Sequence, residues 1–250
     1  MKIAIVTGGS RGLGKSMSVH LAEKGHDVIL TYLSKKAEAD AVVAQIEGLG
    51  RKSHALQLDV SNTSSFSGFA EEVKEVLSKK WERTDLDFLI NNAGIGINAS
   101  FMETTEAQFD RMVNIQLKGT FFLTQKLLPL IRDGGRIVNI SSGLARFSLP
   151  GYSAYASMKG AIEVLTRYQA QELGPRKITV NVIAPGAIET DFGGGILRDN
   201  RQINDLIASQ TALGRVGLPD DIGGAVASLV SDDNRWINGQ RIEVSGGIHL

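Results

Sequence analysis

The sequence predicts an α/β protein with a doubly wound, seven-stranded parallel sheet that carries helices on both faces, in one domain over residues 1–250. Short β-branched runs alternate with longer helical patterns along the whole chain, and this alternation is typical of parallel strands joined by crossover helices. Each strand run is continuously apolar, which suits burial on both faces. With five prolines, no linker and no repeat, nothing in the sequence divides the chain.

The predicted elements follow in order, each strand as a short β-branched run and each helix as a longer pattern of helical period. The strands are 2–7, 27–32, 53–58, 87–90, 136–141, 179–184 and 241–244. The helices are 14–24, 36–49, 64–80, 106–131, 153–173 and 220–230.

One segment interrupts this alternation. Residues 191–195 follow a strand end and include three consecutive glycines, which give the backbone the freedom of a hinge. We expect the helical stretch 197–209 to form a lid, so that the lid segment covers about residues 190–212. A surface loop without a role is the alternative.

Composition excludes several classes of function. The 27 Lys and Arg residues balance 27 Asp and Glu residues, so the net charge is zero. The protein therefore lacks a general electrostatic attraction to nucleic acid or to an anionic membrane. There is no cysteine, and the four histidines form no ligand-like cluster, so we expect no metal site. The apolar run at residues 3–6 is far too short for a signal peptide or a membrane span. A cytoplasmic protein with a small-molecule partner is expected.

A glycine-rich turn joins the first predicted strand to the first predicted helix. Gly8, Gly12 and Gly14 are spaced G-x-x-x-G-x-G, unlike the commoner dinucleotide spacing G-x-G-x-x-G. Glycines let a backbone approach phosphates closely, and the N–H groups and dipole at a helix start favour negative charge. The turn therefore indicates a pyrophosphate site, and a tight turn without a ligand is the alternative.

A tyrosine and a lysine form the second candidate site. Tyr155 and Lys159 are four residues apart in a predicted helix, so both project from one face. A neighbouring ammonium favours the phenolate, which makes tyrosine a better proton donor to a developing alkoxide, or a base in the reverse direction. Tyr152 has Ala156 at the equivalent position and is expected to line a pocket instead. On an ordinary helix such a Tyr–Lys pair is usually solvated and has no catalytic role, so the motifs around it decide whether it is catalytic.

In order, these motifs resemble those of the short-chain dehydrogenase/reductase family. They are TGGSRGLG at residues 7–14, Asn91-Asn92-Ala93-Gly94 after the fourth predicted strand, and Tyr155-x-x-x-Lys159. Later landmarks follow in register at Asn114, Ser141-Ser142, 181–186, Asn238-Gly239-Gln240 and Gly246-Gly247. The resemblance covers essentially the whole chain. It implies a Rossmann-type fold and hydride transfer between a nicotinamide and a carbonyl carbon.

The resemblance implies four catalytic residues. Tyr155 is the general acid, and Lys159 assists it and also holds the nicotinamide ribose. Asn114 holds a water that relays protons through the lysine, and a satisfied buried amide is the alternative interpretation of its position in an apolar helix. Ser142 binds the substrate carbonyl oxygen. Successive strand residues face opposite sides, so only one of Ser141 and Ser142 can face the cleft, and the family spacing selects Ser142.

NADPH is the expected cofactor, rather than NADH. Tyr32 stands where an NAD-selective aspartate would lie, so no acid repels a 2′-phosphate, and Arg11, Ser34 and Lys35 supply donors and positive charge. A solvated helix start is the alternative for the lysines. The complete expected set of cofactor contacts is Gly8, Ser10, Arg11, Gly12, Leu13, Gly14, Tyr32, Ser34, Lys35, Asp59, Val60, Asn91, Ala93, Gly94, Tyr155, Lys159, Pro185, Gly186, Ile188 and Thr190.

The expected substrate pocket is mostly apolar and includes Leu144, Tyr152 and Phe192. It favours a hydrophobic ketone over a polyhydroxylated sugar. We therefore expect NADPH-dependent reduction of ketones, 3-oxo esters among them, to secondary alcohols. A 3-oxoacyl-acyl-carrier-protein reductase is the first alternative, supported by the basic Arg176 and opposed by Asp133. A sugar or polyol dehydrogenase and a non-catalytic NADP-sensing protein are the others.

Two predicted helices, 106–131 and 153–173, carry apolar residues on more than one face. A second apolar face indicates subunit contact, and simple burial is the alternative. The resemblance implies a homotetramer. On the first helix the apolar residues in question are Phe121, Phe122, Leu127 and Leu128.

Overall fold

The computed structural model describes residues 1–250 and contains one seven-stranded parallel sheet. The strands are β1 Ile3–Val6, β2 Asp27–Tyr32, β3 Ser53–Gln57, β4 Leu86–Asn91, β5 Ile131–Ile140, β6 Thr179–Pro185 and β7 Arg241–Val244. The α-helices are α1 Gly12–Glu23, α2 Lys36–Gly48, α3 Phe66–Trp81, α4 Glu106–Met112, α5 Gly119–Leu127, α6 Ser153–Glu172, α7 Ile196–Asp199, α8 Arg201–Ser209 and α9 Pro219–Leu229. This architecture confirms the predicted fold class.

Helices cover both faces of the sheet. On one face α1, α2 and α9 bury residues such as Met17, Val42 and Ile222 in a shared hydrophobic core. On the other face α3 and α5 bury residues such as Phe69 and Leu123. The sheet is thereby enclosed in a three-layer sandwich, as parallel sheets require.

Strand order creates a crevice beside β1. The order across the sheet is β3-β2-β1-β4-β5-β6-β7, so the chain moves outward from β1 to β3 and then returns to the other side of β1. In parallel sheets of this kind ligands bind at the carboxyl ends of the strands where the winding reverses. The loops after β1 and β4 lie at that point.

The predicted continuous apolarity of every strand is wrong at the edges of the sheet. β3 is an edge strand with a partly exposed side, and it carries His54 and the exposed Gln57. β7, at the other edge, is only partly buried along its length. An edge strand has a neighbour on one side only, so polar residues are tolerated there.

The predicted helix 106–131 is also wrong, because it is interrupted twice. A π-helical turn, Val113–Lys118, separates α4 from α5, and a 3-10 turn at Leu128–Leu130 ends α5. Pro129 lacks the N–H that a continuing helix needs, and β5 begins at Ile131. Gly119, which follows the π turn, packs closely on a neighbouring segment of the chain, since a Cβ there would lie 2.3 Å from the carbonyl oxygen of Val60.

No helix is both long and apolar enough to cross a membrane. No group of three or more acidic or histidine side chains is arranged to hold a metal ion.

Candidate active site

The glycine turn after β1 has a backbone that side chains would block. Gly8 and Gly12 adopt positive φ angles of 65° and 52°. A Cβ on Gly14 would lie 2.1 Å from the carbonyl oxygen of Gly8. α1 then begins without a side-chain cap and without an acidic residue in its first turn. Its first N–H groups are therefore available to an anion, and this cradle fits a pyrophosphate.

Neighbouring strands hold the turn in place. The N–H of Gly8 donates to Thr31 Oγ1 at 3.1 Å. The side-chain amide of Asn92 donates to the carbonyl oxygen of Thr7 at 2.8 Å, and the N–H of Ala93 donates to Thr7 Oγ1 at 2.9 Å. Thr7 and Asn92 thus join the loops after β1 and β4. Both residues belong to motifs of the sequence, but their linking role was not predicted.

Tyr155 and Lys159 lie on the inner face of α6, where both side chains are buried. Lys159 Nζ donates to the carbonyl oxygen of Ile140 at 2.8 Å and lies 5.6 Å from the centre of the Tyr155 ring. Ser142 follows β5 in an extended conformation, and its hydroxyl accepts a hydrogen bond from the N–H of Leu144. Ser141 is buried and donates instead to Glu163 at 2.7 Å. Of the two serines, Ser142 is therefore the one free to face a substrate.

Burial controls the protonation of this pair. It raises the pKa of Tyr155 to about 12, and the Ser142 hydroxyl acts in the opposite direction. It lowers the pKa of Lys159 to about 7, because a charged ammonium is poorly solvated there. The Tyr155 pKa therefore lies above its usual value, opposite in direction to the lowering that a neighbouring ammonium would produce. A phenol with this pKa stays protonated at neutral pH, so it holds the proton that reduction of a carbonyl consumes.

The Lys159 pKa predicts a pH dependence of stability. Below about pH 7 the lysine is protonated in both the folded and unfolded states, so its burial opposes folding fully. Above pH 7 the folded state releases the proton, while the unfolded state keeps it to about pH 10.4. The free energy of unfolding of the wild type should thus rise relative to that of Lys159→Met between pH 7 and pH 9. Urea titrations of both proteins measure this difference, and a constant difference contradicts the assignment.

Asn114 lies in the π-helical turn. The N–H of Gly119 donates to the carbonyl oxygen of Asn114, an i to i+5 bond that defines the turn. Val113 and Leu117, in the same turn, pack on the small hydrophobic cluster that contains Tyr155. Such turns recur at functional sites. The Asn114 side chain is half-buried and forms no hydrogen bond with the rest of the chain.

Aromatic rings enclose Tyr155. The Phe192 ring centre lies 5.7 Å from that of Tyr155, and the Tyr152 ring centre lies 6.3 Å away. Leu144 packs against the same cluster. A Cβ on Gly96 would lie 2.4 Å from the tip of the Phe192 ring, so this glycine, which no sequence motif indicated, makes room for the ring. The three predicted pocket residues are therefore brought together at Tyr155.

Phe192 belongs to a segment with left-handed glycines. Gly193, Gly194 and Gly195 all have φ between 63° and 81°. The predicted single helix 197–209 is instead two helices, α7 and α8, because Asn200 leaves the helical conformation and caps α8 through the N–H of Ile203. An isolated bridge pairs Thr211 with Ile248 near the far end of the segment.

The expected 2′-phosphate contacts are solvent-accessible. Arg11 and Ser34 are exposed, and Arg11 forms no ion pair within the chain. Lys35 is exposed and pairs with Glu38 at 3.0 Å. Tyr32, by contrast, is buried at the end of β2. No carboxylate belongs to β2 beyond Asp27 at its start.

The other expected cofactor contacts are spread along the carboxyl edge of the sheet. A Cβ on Gly12 would lie 3.8 Å from the Thr190 side chain, so the loop after β6 faces the glycine turn. A Cβ on Gly94 would lie 2.8 Å from Oε1 of the buried Gln116, a neighbour that was not predicted. Ser10, Leu13, Val60, Ala93 and Gly186 are partly exposed, Asp59 is exposed, and Pro185 and Ile188 are buried.

Asn91 differs from the rest. Its side-chain amide donates to Thr124 Oγ1 at 2.9 Å and to Asn139 Oδ1 at 2.8 Å. It belongs to a buried polar network between the strands and the helices behind them. Its side-chain Oδ1 is buried and has no hydrogen-bond partner within the chain.

A parallel α/β sheet with a phosphate cradle and a buried Tyr–Lys pair defines a dinucleotide-dependent oxidoreductase by class. A family model described as enoyl-(acyl carrier protein) reductase matches residues 8–249. The chain is 39% identical over 99% of its length to an uncharacterized oxidoreductase of Methylorubrum extorquens, covering 97% of that protein. It is 37% identical over its full length to the 3-oxoacyl-(acyl-carrier-protein) reductase FabG of Staphylococcus aureus, covering 98% of that protein.

Solved structures of two ketoreductases are also similar to this chain. The chain matches the promiscuous reductase LugOII, which catalyses keto-reduction at C1 in lugdunomycin biosynthesis, with TM-score 0.93 and 38% identity, covering 100% of this chain and 98% of that one. It matches the landomycin C-6 ketoreductase LanV, solved with bound NADP and rabelomycin, with TM-score 0.89 and 35% identity, covering 98% and 95% of the two chains. The chain belongs to the short-chain dehydrogenase/reductase family of oxidoreductases.

Proposed function

We propose that this protein reduces ketones to secondary alcohols with NADPH. The observation that carries the proposal is the convergence of Tyr155, Lys159 and Ser142 at the edge of the sheet that also holds the glycine turn. Bound NADPH would supply the hydride. The chain itself would supply a proton, an oriented carbonyl and a cleft that excludes water.

Each side chain has a distinct task in this proposal. The Tyr155 phenol, protonated at neutral pH, donates its proton to the developing alkoxide. The Ser142 hydroxyl donates a hydrogen bond to the same oxygen and orients it. Lys159 holds the nicotinamide ribose beside Tyr155. Asn114 anchors a water that passes protons to Lys159.

The preference for NADPH rests on charge. Arg11 is an exposed cation without an ion pair at the glycine turn, and β2 carries no acid at its end that would repel a 2′-phosphate. LanV, a similar protein, binds NADP. Lys35 already pairs with Glu38, so Arg11 carries more of the recognition in this proposal.

Substitution of Arg11 tests the cofactor choice. Arg11→Ala should raise the KM for NADPH about 10-fold or more, since a charge-assisted hydrogen bond contributes about 1.5–3 kcal/mol. The KM for NADH should barely change. Arg235→Ala is the control. Arg235 is also an exposed arginine, but it lies near Asp232, which pairs with Lys2 ahead of β1, and so at the end of the sheet opposite the glycine turn. Equal loss of both cofactors, or none, argues against a 2′-phosphate contact.

The aromatic surroundings of Tyr155 favour a hydrophobic ketone. The rings of Tyr152 and Phe192 lie beside Tyr155, whereas a sugar would need several polar partners. LanV was solved with rabelomycin, and LugOII catalyses keto-reduction in lugdunomycin biosynthesis. Aryl ketones and 3-oxo esters are therefore the first substrates to test. Residues 190–212 would act as a lid over them.

Removal of the Phe192 ring tests the pocket. Phe192→Ala should raise the KM for an aryl ketone about 2- to 10-fold, because one aromatic contact contributes about 0.5–1.5 kcal/mol. The KM for a small aliphatic ketone should change less. Phe109→Ala is the control, because Phe109 is similarly exposed and forms no ring contact with Tyr155. If both ketones respond alike to Phe192→Ala, the ring does not select the substrate.

Reduction of a 3-oxoacyl thioester on a carrier protein is the second candidate, favoured by the similarity to FabG. An acidic carrier protein needs free basic residues beside the cleft. Arg176 pairs with Asp133 at 2.8 Å and also donates to the carbonyl oxygens of Leu128 and Ile131. Its charge is thus largely neutralised, which favours free ketones over a carrier-bound substrate.

The homotetramer and the cytoplasmic location stay predictions. Phe121 and Phe122 are exposed on α5 and stack edge to face, which supports a subunit contact there. Leu127 is fully buried in the core and Leu128 packs against it, so these two residues follow the alternative of simple burial. A non-catalytic sensor would have no use for all four proposed catalytic side chains.

A further inference from the structure

A chain of ion pairs runs beneath the candidate catalytic serine. Arg241 Nε donates to Glu163 Oε1 at 2.7 Å, and Arg241 Nη1 donates to Glu243 Oε2 at 2.9 Å. Arg146 donates two hydrogen bonds, of 2.8 and 2.9 Å, to the Glu243 carboxylate. Two cations and two anions balance in this network, and Glu163 and Arg241 are largely withdrawn from solvent.

This network holds the end of β5. Glu163 Oε1 accepts a 2.7 Å hydrogen bond from the hydroxyl of Ser141. Arg241 Nη2 lies 3.5 Å from the carbonyl oxygen of Ser142. Lys159 donates to the carbonyl oxygen of Ile140, so a lysine, a glutamate and an arginine side chain contact three consecutive residues at the end of β5. β7 and α6 are thereby tied to the segment that carries the Ser142 hydroxyl.

We propose that Glu163 and Arg241 are positioning residues that fix Ser142 relative to Tyr155, a proposal that rests on the function proposed above. Neither residue needs to touch the substrate. A displacement of about 1 Å in an oriented group lowers a rate by about 100-fold. Loss of the network therefore reduces the catalytic step more than it reduces cofactor binding.

The first test compares Arg241→Met with Arg83→Met. Arg83 has the same 23% side-chain exposure as Arg241 and also bridges two carboxylates, those of Asp85 and Asp87. It lies at the opposite end of the strands, ahead of β4. Arg241→Met should lower kcat for an aryl ketone about 10- to 100-fold and leave the KM for NADPH within about 2-fold. Arg83→Met should lower the melting temperature without lowering kcat.

A second pair of variants separates positioning from general structure. Glu163→Gln keeps an oxygen that accepts from Ser141 and Arg241, so kcat should stay within about 3-fold of the wild type. Glu163→Leu removes the acceptor and should match Arg241→Met. If the Arg241 variant does not fold, this pair decides alone. Wild-type kcat in Arg241→Met or in Glu163→Leu, or equal kcat in the two Glu163 variants, overturns the proposal.

Tyr155→Phe is measured in parallel so that two failures stay distinct. An active Tyr155→Phe overturns the proposed function itself. An inactive Tyr155→Phe, together with wild-type kcat in Arg241→Met or in Glu163→Leu, overturns only the positioning role.

Discussion

Tyr155→Phe should lower kcat for ketone reduction by about 10²–10⁴-fold, the range that a general acid contributes. The variant keeps the ring, and therefore the contacts with Phe192 and Tyr152, but it loses the proton. Binding of NADPH, followed by its fluorescence, should be nearly unchanged. The loss of rate would then belong to the chemical step alone.

Tyr152→Phe is the matched control. Tyr152 is three residues away in sequence, and its ring lies 6.3 Å from that of Tyr155, but no lysine lies one helical turn beyond it. Its kcat should stay close to that of the wild type. Substantial activity in Tyr155→Phe, or an equal loss in the two variants, removes Tyr155 from the proposed mechanism.

Gly14→Ala should weaken NADPH binding by about 100-fold. The new Cβ would lie 2.1 Å from the carbonyl oxygen of Gly8 and 2.6 Å from the side-chain amide of Asn92. A backbone oxygen cannot yield without moving the whole turn, and overpacking of this kind costs up to about 3 kcal/mol. If that energy is lost from phosphate binding, the Kd for NADPH increases about 100-fold.

Gly48→Ala serves as the control for this change. Gly48 lies at the end of α2, where an added Cβ would meet no atom within 4 Å, and alanine favours helices. Fluorescence titration with NADPH and thermal melting of both variants give the comparison. Wild-type affinity in Gly14→Ala would mean that the turn does not hold the dinucleotide phosphates.

The fold could be predicted from the sequence because a single physical rule governs it. Parallel strands need crossover helices, and the alternation of short apolar runs with helical periods therefore determines the architecture. Of the two helix interruptions, the one at Pro129 has a local cause that the sequence shows, whereas the π turn at Val113–Lys118 gave no signal in the helical pattern. Gly119, directly after the π turn, contacts the backbone of Val60, which is 59 residues away in sequence.

The residues of the site could be predicted from the sequence, but their burial and their hydrogen-bond partners could not. Helical spacing placed Tyr155 and Lys159 on one face, whereas their protonation depends on how deeply the fold buries them. Alternation along β5 left Ser141 and Ser142 equivalent, and only the family resemblance selected Ser142. The structure supplies the physical reason, because it pairs Ser141 with Glu163. The ion pair of Glu163 with Arg241 joins α6 to β7, and no motif connects these elements.

Ketone reduction with NADPH is tested most directly by following the loss of nicotinamide absorbance with NADPH and, in parallel, with NADH. The panel comprises aryl ketones, 3-oxo esters, an acetoacetyl thioester and sugars. We predict turnover of the free ketones with NADPH and much slower turnover with NADH. A strong preference for the acetoacetyl thioester would move the protein to carrier-bound substrates, and NADPH binding without turnover of any compound would contradict the proposed function.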